Sequence, residues 1–141
     1  MNATGTFEMK TWDEKTSEGA PWDWKHWREN PHVQLTRAHI VNTFTGDVEG
    51  ESTLEYLMTY GDDGSCTFTG QERITGSLGD RSGSFVLQQH GTFKADGIEA
   101  EWFVIPGSGT GELRGLKGQG GFTWEGQEGN KTRFTLDYDF G

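Results

Sequence analysis

Apolar and polar side chains alternate along most of this chain, and short glycine-containing turns divide the alternation into segments. In the last segment, Phe134, Leu136, Tyr138 and Phe140 occupy every second position. Successive side chains of a β-strand point to opposite faces, so a repeat of two residues indicates strands with one buried face. No long stretch shows the 3.6-residue repeat of an amphipathic helix. The chain is therefore predicted to be all-β.

The alternating segments predict eight strands, at residues 4–13, 33–45, 48–60, 65–75, 84–94, 98–105, 117–125 and 131–140. In the first strand the alternation places Phe7 and Met9 on one face and Trp12 on the other. Consecutive hairpins favour an up-and-down meander, and closing the meander into a barrel removes exposed sheet edges. We expect one closed antiparallel eight-stranded up-and-down barrel domain over residues 1–141, with room inside for side chains or one small ligand.

The composition excludes several classes of partner. The formal net charge is −10, and phosphate binding depends on Lys and Arg, so neither a nucleic acid nor an anionic membrane surface is expected to bind. No segment approaches the roughly 20 apolar residues of a membrane-spanning helix, and the N-terminus does not resemble a signal peptide. Cys66 is the one cysteine and permits no intrachain disulfide. Together these features predict a cytoplasmic location.

Residues 16–32 interrupt the alternation. They include two prolines and three tryptophans, Trp22, Trp24 and Trp27, and are predicted to form a long loop without regular structure. Tryptophan rings carry a large apolar surface that is costly to leave in water. Three interpretations stay open: the rings plug one barrel end or contact another subunit, they form a lid over a ligand cavity, or the segment is disordered.

Several motifs resemble a known family. They are NTFTGDVEGE at 42–51, EYLM at 55–58, GQERITG at 70–76, RSGSFVLQ at 81–88, PGSGTGEL at 106–113 and LDYD at 136–139. Together they resemble the bacterial domain of unknown function 3224, whose fold is similar to the allene oxide cyclase-like and calycin-like barrels. The resemblance implies a closed eight-stranded barrel, often a homo-oligomer, whose better-known relatives cyclise or bind small hydrophobic molecules. The 16–32 insert is longer than the family's usual connection and points to a specialised ligand.

Glu72 is the main candidate for chemistry. It falls on the same strand face as Phe68 and Ile74, which places its carboxyl group inside the barrel. A buried carboxyl group must be hydrogen-bonded, and burial raises its pKa toward the range used in acid–base catalysis. The groups predicted to satisfy it are Tyr56, Gln89, Tyr138 and Arg73. Glu72 is therefore either a polar tie across the barrel or, together with Tyr56, a catalytic or ligand-orienting group.

Aromatic side chains are the candidate walls of a ligand cavity, although such rings also fill ordinary cores. With Gln89 and the three tryptophans of 16–32, the predicted ligand-binding residues are Phe7, Phe85, Trp102, Trp124 and Tyr138. No cofactor and no metal ion is predicted, because the four histidines lack the usual ligand spacing. Two functions stay open. One is a cofactor-independent cyclase or isomerase that holds a small hydrophobic substrate in the barrel, and the other is a non-catalytic binding or oligomeric structural barrel.

Overall fold

The computed structural model describes residues 1–30, 32–125 and 130–140. Within them the chain forms one short helix, α1 (Trp24–Glu29), and a single 3₁₀ turn at Gly111–Leu113. The strands are β1 (Asn2–Thr16), β2 (Gln34–Gly46), β3 (Val48–Tyr60), β4 (Cys66–Leu78), β5 (Arg81–Lys94), β6 (Gly97–Val104), β7 (Lys117–Trp124) and β8 (Lys131–Asp139). The predicted all-β fold is confirmed, with strand ends that differ by a few residues.

Each strand pairs antiparallel with the next along the chain, and β1 pairs with β8 to close the sheet. Gly5, for example, pairs with Gly46 of β2 on one side and with Phe134 of β8 on the other. The predicted closed up-and-down barrel of eight strands is therefore confirmed. The turn predicted at 126–130 falls, at 126–129, outside the described residues.

The register between β1 and β2 shifts by one residue between Met9 and Thr11. A β-bulge of this kind reverses which face the following side chains occupy. Phe7 and Met9 before the bulge and Trp12 after it all line the barrel interior. The prediction that Trp12 lies on the face opposite Phe7 is therefore wrong, because strict alternation does not show where a bulge falls.

The prediction that residues 16–32 form a loop without regular structure is wrong, because helix α1 lies within them. The Asp23 carboxylate accepts a hydrogen bond from the backbone N–H of His26 and so caps the helix N-terminus. Three rings pack around Tyr60, with centroid distances to its ring of 4.7, 5.3 and 5.1 Å; they belong to Trp22, Trp24 and Trp27. We call these three residues with α1 the tryptophan cap. It closes the barrel end where β3 ends and β4 begins.

The apolar side chains form two packed clusters inside the barrel. The cluster below the tryptophan cap contains Tyr56, Met58, Tyr60 and Phe68. The other lies toward the opposite end and contains Phe44, Ile74, Leu78, Phe85, Leu87, Trp102, Leu113, Leu116, Phe134 and Leu136. Phe122 packs against both clusters and also lines a cavity inside the barrel.

Candidate functional site

A cavity of about 310 Å³ lies inside the barrel. Most of its wall is apolar: Phe7, Met9, Trp12, Ile40, Leu54, Met58, Phe68, Phe93, Ile98, Phe122 and Trp124. The remaining lining residues are Asn42, Tyr56, Glu72, Gln89, Asn130 and Thr132. An apolar cavity with a few convergent polar groups is the usual form of a small-molecule site.

The cavity meets the surface beside the second half of β1. Pairing between β1 and β8 ends at Glu8 and Lys131, so the part of β1 that follows has β2 as its only described strand neighbour. Met9 and Trp12 lie just beyond this point, and they are 50% and 39% exposed although both line the cavity. Met9 and Trp12 therefore contact both the cavity and the solvent.

Glu72, which is 1% exposed, anchors the polar corner of the cavity. Its Oε2 accepts hydrogen bonds from Asn42 Nδ2 at 3.0 Å and from Ser52 Oγ at 2.5 Å. Its Oε1 accepts one from Gln89 Nε2 at 2.8 Å. The donors come from β2, β3 and β5, so four neighbouring strands converge on one carboxyl group.

Tyr56 extends this corner by reaching across a strand. Tyr56 of β3, Gly70 of β4 and Gln89 of β5 lie side by side in the sheet register. The Tyr56 ring lies over Gly70, where a Cβ would come within 2.6 Å of the ring. The ring thus spans β4, and the hydroxyl group donates to Gln89 Oε1 at 2.6 Å. A hydrogen-bonded chain runs from Tyr56 through Gln89 to Glu72.

Burial raises the pKa of Glu72, because the carboxylate loses its hydration inside the barrel. Hydrogen bonds from Ser52, Asn42 and Gln89 favour the carboxylate and oppose this effect, but burial is the larger cause. Burial also raises the pKa of Tyr56, and the nearby charge of Glu72 adds to that rise. Tyr56 is therefore a neutral hydrogen-bond donor, and Glu72 is the group in the corner that can gain or lose a proton.

A second buried carboxyl group, Glu14, joins the cavity rim to the tryptophan cap. Its Oε1 accepts a hydrogen bond from the indole N–H of Trp12 at 2.9 Å. Its Oε2 accepts from the Thr36 and Tyr60 hydroxyl groups, each at 2.6 Å. One carboxyl group therefore positions both a cavity-lining ring and the ring on which the cap packs.

Several other side chains with catalytic potential lie outside the cavity. Cys66 is buried near the cap, and burial raises the pKa of its thiol to about 12. His39 and His90 lie on the exposed surface. His39 Nδ1 is 2.7 Å from Glu55 Oε1, and His90 Nε2 is 3.5 Å from Glu101 Oε2. Over the described residues, no group of three or more His, Cys, Asp or Glu side chains is arranged to hold a metal ion.

The structure brings five of the predicted site residues together around the cavity: Glu72, Tyr56, Gln89, Phe7 and Trp124. The inward orientation of Glu72 is as predicted, and its contact with Gln89 is also as predicted. Tyr56 reaches Glu72 only through Gln89. Arg73 is exposed, because β4 runs without a bulge, so the prediction that it satisfies Glu72 is wrong.

The other predicted ligand-binding residues do not line the cavity. Phe85 and Trp102 are buried in the packed cluster toward the opposite end, and Tyr138 packs against that cluster. Tyr138 therefore does not satisfy Glu72 either, contrary to the prediction. The three remaining residues belong to the tryptophan cap: Trp22, Trp24 and Trp27. Their packing on Tyr60 agrees with the interpretation that they plug one barrel end.

Sequence reasoning missed two donors to Glu72, Asn42 and Ser52. Both occupy inward positions in their strands, between Ile40 and Phe44 in β2 and before Leu54 in β3. A polar residue at an inward position is the same signal that identified Glu72. Applied to every strand, it would have located this corner.

Replacing Glu72 with Gln is expected to change how the free energy of unfolding depends on pH. The pKa of Glu72 is raised in the folded protein above its ordinary value of 4.5, so the folded state holds this proton more tightly. The resulting stabilisation is fully present below that ordinary value and is lost as the pH rises through the folded pKa. The stability of the wild type relative to Glu72→Gln, measured by urea denaturation, should therefore fall as the pH rises above 4.5.

The control for this experiment is Glu49→Gln, which removes an exposed carboxyl group from the same barrel. Its difference from the wild type should not show the decline found for Glu72→Gln. A wild-type advantage over Glu72→Gln that grows with pH would contradict the raised pKa.

The fold and the cavity define a small antiparallel β-barrel whose apolar interior site contains a polar corner with a buried carboxyl group, Glu72. The chain belongs to the family described as protein of unknown function (DUF3224), whose model matches residues 3–138. A crystal structure of a DUF3224-family protein of unknown function from Shewanella oneidensis MR-1 is similar, with a TM-score of 0.78 and 27% sequence identity. The similarity covers 100% of this chain and 98% of that one. A search of curated proteins found no match.

In the part of the chain that the structure describes, no helix is long and apolar enough to cross a membrane.

Proposed function

We propose that the barrel binds a small, mostly apolar molecule in its central cavity and acts on it as a cofactor-independent cyclase or isomerase. The observation that carries this proposal is a cavity of about 310 Å³ whose apolar wall is interrupted by the buried carboxyl group of Glu72, the pKa of which burial raises. The likeness to allene oxide cyclase-like barrels, read from the sequence motifs, is part of the proposal.

Glu72 would serve as the acid–base group of such a reaction. In an isomerisation or cyclisation, its carboxylate takes a proton from one atom of the substrate, the carboxyl proton exchanges with solvent, and the carboxyl group then gives a proton to another atom of the same molecule. The composition of the molecule is unchanged, so the step needs no oxidant or reductant. Tyr56 and Gln89 would hold Glu72 in place, and the apolar wall would keep the substrate in a reactive conformation.

The alternative is a barrel that binds the same kind of molecule without changing it. Glu72 already accepts three hydrogen bonds from neutral side chains, which is also the arrangement of a polar tie that stabilises the barrel. The two functions differ in the fate of a molecule carried on the purified protein. In heavy water, a wild-type enzyme would introduce deuterium into that molecule and Glu72→Gln would not, whereas a simple binding protein would leave it unlabelled.

Binding itself is tested with N-phenyl-1-naphthylamine, a neutral apolar dye whose fluorescence rises in apolar surroundings. We expect the wild type to bind the dye with a micromolar Kd and Met58→Trp to lose at least about 90% of the signal, because Met58 lines the cavity and a larger ring fills it. Fluorescence titration measures both the Kd of the wild type and the loss of signal in Met58→Trp.

The matched control is Leu57→Trp, which introduces the same ring one residue earlier, on the outer face of β3. It should bind the dye as the wild type does. Equal binding by all three proteins would mean that the dye binds elsewhere, and no binding by the wild type would contradict the proposed site.

A further inference from the structure

The polar corner of the cavity retains unused capacity to accept hydrogen bonds. A carboxylate offers about four acceptor positions. Among the described residues, three donors reach Glu72, and only one of them, Gln89, bonds to Oε1. The Tyr56 hydroxyl group donates its proton to Gln89, and its oxygen lone pairs can still accept a hydrogen bond. The donors that remain in this corner are the second amide protons of Asn42 and Gln89, and both amides are neutral. The group in this corner that readily carries a full charge is therefore the Glu72 carboxylate, and its charge is negative.

The wall of the cavity is rich in aromatic rings. Phe7, Trp12, Phe68, Phe93, Phe122 and Trp124 all line the cavity. The face of an aromatic ring is electron-rich and attracts cations, most strongly in tryptophan. Among the lining residues that the structure describes there is no Lys, Arg or His. The described lining thus combines a buried carboxyl group with aromatic surfaces and contains no cationic side chain.

We propose that the ligand is an apolar amine whose protonated nitrogen donates a hydrogen bond to Glu72 Oε1 while its body packs among the aromatic rings. This inference rests on the binding of a ligand in the cavity, which is part of the proposed function, and specifies the chemistry of that ligand. A buried carboxylate without a charged partner pays a large cost of lost hydration, and a bound ammonium group offsets that cost. The raised pKa of Glu72 reflects the same cost of lost hydration.

Other ligand chemistries fit the site less well. A carboxylate ligand would meet Glu72 with no cationic side chain in the described lining to compensate the repulsion. A neutral alcohol would donate a hydrogen bond to Glu72, but it would neither neutralise the carboxylate nor gain from the ring faces. The volume of about 310 Å³ accommodates an amine with a two-ring body.

Three probes with one indole body test the inference: tryptamine, 3-ethylindole and indole-3-propionate, which end in an ammonium, a methyl and a carboxylate group. Displacement of N-phenyl-1-naphthylamine from the wild-type protein at pH 7 gives their Kd values. We expect tryptamine to bind at least about tenfold more tightly than 3-ethylindole, as for a hydrogen bond to a charged group, and indole-3-propionate not to displace the dye. These measurements need no variant, so they stand even if a substitution disturbs folding.

Two variants then test whether the tighter binding of tryptamine depends on Glu72. Glu72→Gln should abolish the advantage of tryptamine and keep the Kd of 3-ethylindole within about twofold. Glu49→Gln removes an exposed charge and should retain the full advantage, which separates binding at Glu72 from general attraction to a protein of net charge −10.

The outcomes distinguish this inference from the function on which it rests. If 3-ethylindole binds as tightly as tryptamine, or indole-3-propionate displaces the dye, the amine inference is overturned while binding in the cavity stands. The inference is also overturned if none of the three probes displaces a dye that Met58→Trp excludes. If the dye itself fails to bind the wild type, the proposed function fails, and the inference fails with it.

Discussion

Trp27→Ala is expected to lower the free energy of unfolding by about 3–5 kcal/mol, the usual cost of removing a large buried ring. Trp27 is 5% exposed and packs against Tyr60, and its indole N–H donates to the backbone carbonyl of His32 at 2.9 Å. The substitution therefore leaves a void and an unsatisfied carbonyl group. Helix α1 has only six residues and cannot persist without packing, so the tryptophan cap should loosen as well. Urea denaturation followed by far-ultraviolet circular dichroism measures the loss.

Phe103→Ala provides the comparison for Trp27→Ala. Phe103 is also aromatic but lies 46% exposed on the outer face of β6, so its removal should cost less than about 1 kcal/mol. Equal losses from the two substitutions would show that the cap does not unfold together with the barrel. The result also bears on the cavity, because Phe93 lines the cavity and lies 6.0 Å from Trp24, measured between ring centroids.

The barrel and the inward position of Glu72 could be predicted because both follow from a local repeat. Alternation with period two identifies each strand and its two faces, and it needs no knowledge of distant residues. The strand predictions for β3 and β8 therefore lie within one residue of the observed strands. Glu72 interrupts an otherwise apolar face, and only its own strand is needed to see that.

The orientation of Trp12 and the presence of α1 could not be predicted in this way. The bulge after Met9 depends on how β1 pairs with β2, which the sequence of β1 alone does not specify. Helix α1 is shorter than isolated helices that are stable in water, and its stability comes from packing of Trp27 beneath it. Both features depend on tertiary contacts between segments far apart in the chain.

The sequence also could not show which inward-facing aromatic rings line the cavity and which belong to the packed core. Phe85, Trp102 and Phe68 all point into the barrel, but only Phe68 lines the cavity. Alternation tells which face a side chain occupies and gives no information on its height along the barrel axis. That height follows from strand tilt and from the register of all eight strands together, which appear only when the barrel closes.

Gly70→Ala is expected to cost about 3 kcal/mol, at the upper end of the usual range for overpacking. A Cβ at this position would lie 2.0 Å from the backbone carbonyl oxygen of Glu55 and 2.6 Å from the Tyr56 ring. The carbonyl oxygen belongs to a paired strand and cannot move freely, so the added methyl group strains the pairing of β3 with β4. It also presses on the ring of Tyr56, whose hydroxyl group donates to Gln89. The free energy of unfolding from urea denaturation gives the size of the effect.

Gly64→Ala separates this steric effect from ordinary backbone strain. Gly64 lies in the β3–β4 turn at φ +87°, and a Cβ there would have no atom within 4 Å. Its substitution should cost only the left-handed strain of about 1–2 kcal/mol. If Gly70→Ala costs no more than Gly64→Ala, the Tyr56 ring does not lie closely over β4 as described. A clearly larger cost means that position 70 has no room for a side chain beside the Glu55 carbonyl oxygen and the Tyr56 ring.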